Sequence, residues 1–81
     1  MKIYTIEELN NIPEGITELE IQGLNIMGLP KLPQSLTYLN CGDNQLIVLD
    51  NLPQGLTCLY CHNNKLTKLD RLPQSLINLQ V

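Results

Sequence analysis

The chain has 81 residues, a formal charge of −3 and no Phe or Trp. Its charges are scattered, which argues against a nucleic-acid surface built from clustered Lys and Arg. No stretch approaches the roughly 18 apolar residues of a membrane span.

The opening residues, Met1 to Glu8, lack the apolar core of a cleavable signal peptide. Three cysteines leave at least one unpaired, which fits a reducing compartment. A cytoplasmic protein is expected, or one exported without a cleaved signal. Residues 1–11 are predicted to form an N-terminal cap. Thr5 and Glu8 have the spacing of a capping box. Ile6, Leu9 and Ile12 would share one side of a short helix ending near Asn10-Asn11. The alternative is an extra strand over Lys2 to Tyr4.

From residue 12 one phrase recurs every twenty residues. Leu32-Pro33-Gln34-Ser35-Leu36, Leu52-Pro53-Gln54-Gly55-Leu56 and Leu72-Pro73-Gln74-Ser75-Leu76 are near copies. Ile12-Pro13-Glu14-Gly15-Ile16 is a worn version. A fixed period of this size predicts a solenoid, in which each unit buries its apolar side against its neighbours. The units are 12–31, 32–51, 52–71 and a partial 72–81. Within a unit the apolar spacing follows neither a helix nor a plain strand. Leu39-x-Cys41 and Leu59-x-Cys61 alternate as short strands with one face buried. One strand at the same place in each unit gives a parallel sheet.

The pattern Leu36-x-x-Leu39-x-Cys41-x-x-Asn44-x-Leu46, repeated as Leu56-x-x-Leu59-x-Cys61-x-x-Asn64-x-Leu66, resembles the leucine-rich repeat. The Leu-Pro opening is similar to its short bacterial type. The resemblance covers residues 12–81. It implies an α/β fold by repeat family that is mostly β: a right-handed solenoid with the parallel sheet on its concave face. It also implies extended or polyproline-like convex segments. Pro13, Pro33, Pro53 and Pro73 suit these, since proline rejects a helix interior. The family's role in protein recognition becomes the expected function.

Asn44 and Asn64 are inward polar side chains and must find partners. A carboxamide offers two donors and an acceptor, so a structural ladder that bridges backbone groups of successive turns is expected. The first unit departs from the pattern, with Leu24 at the Asn position and Asn25 one place late. An irregular turn helped by Gly23 and Gly28 is expected there. At the far end Ile77-Asn78-Leu79-Gln80-Val81 reads as a strand with no turn or polar cap after it. Bare edge strands pair with other chains. Self-association through Ile77–Val81, a truncated sequence and a frayed last strand are the three readings.

Cys58-Leu59-Tyr60-Cys61-His62 matches the CxxCH haem-attachment pattern. The repeat alignment argues against it. Cys61 falls with Cys41 at an inward position and Cys58 at an outward one, and odd-spaced strand residues point apart. The same divergence argues against zinc, which needs converging ligands. Cys41 and Cys61 read as reduced, buried thiols, and Cys58 as the one reactive thiol. His62 reads as a solvated rim residue. Ser35 and Ser75 lie in the Leu-Pro-Gln-Ser turn, away from it. No nucleophile, base and orienting group share a pattern. The expectation is no enzymatic activity, no metal and no cofactor.

The remaining surface is two outward columns, Glu18, Tyr38, Cys58, Asn78 and Glu20, Asn40, Tyr60, Gln80. Thr17, Thr37, Thr57 and Ile77 flank them. Tyr38 and Tyr60 are diagonal neighbours, and tyrosine is a favoured interface anchor. The expected partner is a protein, with another copy of the chain as the alternative. Neither nucleic acid nor a membrane is expected.

Overall fold

The computed structural model describes all residues, Met1–Val81. Its element order is α1 (Ile6–Leu9), β1 (Glu18–Glu20), β2 (Tyr38–Asn40), β3 (Cys58–Tyr60) and β4 (Asn78–Gln80). The strands form one parallel sheet in the order β1-β2-β3-β4. The sheet is not closed into a barrel. Each strand pairs with the residue twenty positions on: Leu19 with Leu39, Leu39 with Leu59, Leu59 with Leu79. No helix is long and apolar enough to cross a membrane.

Each strand sends its central Leu to one side and its two flanking residues to the other, as the pleat requires. Leu19, Leu39 and Leu59 are fully buried. The chain then turns back over them, so Ile21, Cys41, Cys61, Ile26, Leu46 and Leu49 join the same cluster. Proline opens each return to the sheet. The N–H groups of Leu36, Leu56 and Leu76 donate to the carbonyls of Pro33, Pro53 and Pro73 at 3.2–3.3 Å. These are β-turns that aim the following Leu into the core.

The turns leaving the strands use left-handed backbone. Gly23, Asp43 and Asn63 occupy one column with φ of 75°, 55° and 55°. Gly, Asp and Asn are the types that tolerate this region. Arg71, at φ 60°, is not among them.

The short helix forms, and the alternative strand over Lys2 to Tyr4 is reduced to a single isolated bridge at Lys2. Thr5 caps α1, its side chain accepting from the Glu8 N–H while the Glu8 carboxylate accepts from the Thr5 N–H. Ahead of it, Lys2 bridges to Glu20 in parallel. The Ile3 N–H donates to the Glu20 carbonyl and the Glu20 N–H to the Met1 carbonyl, both at 2.8 Å. The outer edge of β1 is therefore covered. Ile6 is a correction: it is half exposed, not on a buried helix side. A helix of four residues presents one inward position, which Leu9 takes, and Ile3 fills the space beside it.

The other edge differs. Leu79 is 38% exposed where its three equivalents are at 0%, and Ile77 is 87% exposed. Nothing pairs with the outer side of β4.

Candidate functional site: the open face of the sheet

The pleat and the in-register pairing place the eight outward side chains on one face in two straight columns. Glu18, Tyr38, Cys58 and Asn78 form the first, and Glu20, Asn40, Tyr60 and Gln80 the second. At the centre the Tyr38 and Tyr60 rings meet edge to face, centroids 5.6 Å apart and planes at 86°. This is a favoured aromatic geometry. Asn78 donates weakly to the Tyr60 hydroxyl at 3.5 Å.

Electrostatics grade across the face. Burial, then the Glu20 charge, hold the Tyr38 phenol above its ordinary range. The Cys58 side chain beside it does the same for Tyr60. Both phenols therefore stay neutral donors. Glu18 and Glu20 are in no ion pair; Lys68 pairs with Asp70, and the His62 ring lies 3.8 Å from the Asp43 carboxylate.

Not every residue of the columns is free to bind. The Asn40 Oδ1 accepts from the Gly42 N–H at 3.1 Å. Its acceptor holds the turn after β2, and only its amide donors face out. The threonine flank is committed too: Thr37 donates to the Thr17 carbonyl and Thr57 to the Thr37 carbonyl. Ile77 interrupts that series.

Under the face lies the asparagine network. The Asn44 Oδ1 accepts from the N–H groups of Leu24 and Ile26 at 2.9 and 3.2 Å. Its Nδ2 donates to the carbonyls of Ile21, Cys41 and Gly42 at 3.0–3.1 Å. Asn64 repeats the donor set on Cys41, Cys61 and His62, but accepts only from Leu46. The irregular first turn, with Asn25 at φ 59° and Gly23 at φ 75°, is thus tied down by Asn44 of the next unit.

The three cysteines are free. Cys41 and Cys61 are in the core, and Cys58 is half exposed on the open face. Burial first, then the neighbouring Cys61, push the Cys41 thiol up to about 12. Burial also raises Cys61, whose Sγ donates to the Gln80 carbonyl at 3.4 Å. No group of three or more His, Cys, Asp or Glu side chains gathers where a metal ion could sit.

Comparison with family models, with curated proteins and with solved structures finds no match.

At the rim the structure shows an arrangement that spacing alone did not reveal. His62 is half buried, not freely solvated. Its ring lies against Gly42, where a Cβ would come within 2.5–2.9 Å of three ring atoms. His62 Nε2 is 3.8 Å from Asp43 Oδ2, and Asn63 donates to Asp43 Oδ1 at 2.7 Å. The signal was legible in principle: a glycine twenty residues before a ring marks space for that ring. Ser35 and Ser75 also have a structural use. Their hydroxyls donate to the carbonyls of Ile16 and Leu56 at 2.6 Å, stitching adjacent units.

Proposed function

We propose that the chain is a leucine-rich-repeat solenoid module of the short Leu-Pro type, non-enzymatic, that recognises a partner protein through the open, concave face of its sheet. The unbroken twenty-residue register of the strands supports the repeat reading. The Tyr38–Tyr60 pair at the centre of the face carries the functional reading. A tyrosine pair presents apolar area and hydroxyl donors at low entropic cost. The site residues are Glu18, Glu20, Tyr38, Asn40, Cys58, Tyr60, Asn78 and Gln80.

The face is small. Four strands at ~4.8 Å span roughly 15 Å, less than a standard interface of about 800 Å² per partner needs. Binding by a single chain is accordingly weak, and a short segment is a better fit than a broad globular surface.

The test is comparative. Immobilised parent chain and a Tyr38→Ala/Tyr60→Ala variant are offered the same soluble proteins, and circular dichroism checks that both are folded. Partners retained by the parent and lost by the folded variant support recognition by this face. Partners retained equally by both refute it.

The exposed Ile77, Leu79 and Val81 at the β4 edge favour a second reading, self-association through Ile77–Val81. Light scattering after size exclusion checks it, and a monomer at high concentration rules it out.

A further inference from the structure

We infer that the occupant of the open face is a polyproline II segment bearing a basic residue three positions from a large aliphatic residue such as leucine. The inference rests on the reading of this face as the interface and names the chemistry of its partner.

Charge sets one end. Glu18 and Glu20 stand on β1, and none of the eight outward positions is Lys or Arg. Neither carboxylate has an ion-pair partner within the molecule. Lys2 pairs with Glu20 at the sheet edge, but its ammonium lies over the Tyr4 ring, 5.6 Å from the centroid. The Met1 ammonium donates to the Glu18 backbone carbonyl at 3.0 Å, at the edge of β1, and the side-chain cations Lys31, Lys65, Lys68 and Arg71 are in the segments between strands. This end of the face therefore carries two carboxylates against one backbone-bound ammonium, a net negative charge beside the Tyr38 ring. A guanidinium or ammonium fits there, bonded to a carboxylate and packed on the aromatic.

Spacing selects the backbone. Tyr60 is two strands from Glu20 in the same column, a separation of roughly 9.6 Å at ~4.8 Å per strand. A polyproline II chain rises ~3.1 Å per residue with three residues per turn, so every third side chain shares an edge, roughly 9.3 Å apart. A β-strand ligand has period two, and its same-side residues fall roughly 6.6 or 13 Å apart. The polyproline repeat thus matches the distance from the acidic strand to the ring of Tyr60, while the β repeat does not. Proline-rich segments also dock on aromatic surfaces with little ordering cost, because their conformation is preformed. Their backbone carbonyls have no internal partners. The amides of Asn78 and Gln80 and the neutral phenols of Tyr38 and Tyr60 supply donors for them.

The experiment uses the whole chain labelled with ¹⁵N. The probe is a synthetic proline peptide carrying one arginine, with one leucine three positions later. A second peptide reverses the order. Controls replace the arginine by glutamate, or move the leucine next to the arginine. Amide shifts should concentrate on β1 to β4, and raised salt should weaken binding. Glu18→Gln/Glu20→Gln should lower affinity about 5-fold, and Tyr60→Ala about 3-fold, the scale of one exposed charge–aromatic contact each.

Equal binding of the glutamate or respaced peptide at this face overturns the proposed chemistry and leaves the face standing as an interface. Shifts confined to residues away from the sheet overturn both. Absence of binding by either arginine peptide at millimolar concentration overturns the inference alone.

Discussion

Asn44 and Asn64 are the same residue in equivalent places, yet their removal should cost different amounts. Replacing Asn44 by Ala strips two backbone N–H groups, those of Leu24 and Ile26, of their acceptor. It also takes a donor from three carbonyls. Asn44 is only 3% exposed, so water does not readily take over. At about 1–3 kcal/mol per buried unsatisfied donor, the two N–H groups alone set a loss of about 2–6 kcal/mol. Asn64→Ala strips one N–H, that of Leu46, at a half-buried site, and should cost about 1–2 kcal/mol. A domain of this length has a total stability of roughly 4–12 kcal/mol, so the first change approaches unfolding. Urea titration followed by far-ultraviolet circular dichroism gives both values. Asn63→Gly is the control: it loses one exposed bond to Asp43 and keeps a residue suited to positive φ. Its effect should stay under about 1 kcal/mol. Equal losses for Asn44→Ala and Asn64→Ala, or a loss below about 1 kcal/mol for Asn44→Ala, would refute the reasoning that unsatisfied N–H groups carry the cost.

Gly42→Ala should destabilise by about 1–3 kcal/mol, since the new methyl overlaps the His62 ring. Most of that loss should vanish in a His62→Ala background, as a double-mutant cycle would read. In the native protein a bulky thiol reagent should label Cys58 alone, and all three cysteines only after denaturation. Labelling of Cys41 or Cys61 at a comparable rate would contradict their burial. Stability should fall at alkaline pH. The folded state holds the Cys41 proton up to about 12 against an ordinary 9.0, so between those values the native chain binds more protons than the unfolded one. Over that window stability falls with each pH unit by an amount on the order of 1 kcal/mol from this group, and the raised Cys61, Tyr38 and Tyr60 act in the same direction. Below pH 9 the Cys41 contribution is fully present. A Cys41→Val variant whose melting temperature declines as steeply as the parent's between pH 9 and 11 would show that this thiol is not responsible.

Much of the sheet was legible before any coordinates. The twenty-residue period aligns Leu19, Leu39, Leu59 and Leu79, and a one-residue slip from that register would reverse every side chain. That constraint also sorted Cys58 from Cys61 and Tyr38 from Leu39. The first eleven residues were less legible. A capping box and an edge-pairing segment compete for the same residues in sequence, but in space Met1 to Ile3 and α1 are consecutive and do not exclude each other. The exposure of Ile6 followed from a helix too short to have a buried stripe. The His62, Asp43 and Asn63 arrangement was missed because its members meet across units, where the small volume of Gly42 matters more than any local motif.

The repeat by itself determined the strand positions, their parallel order and which side chains share the open face, since these depend on period alone. Only the tertiary structure decided how deeply each copy is buried. Leu39 and Leu59 have a neighbouring strand on each side and are sealed, while Leu79 has one neighbour and stays 38% exposed. Asn44 likewise holds two N–H groups of the irregular first turn, while Asn64, reaching back to a regular unit, holds one. Burial comes from what packs alongside, and identical residues in a repeat differ because their neighbours do.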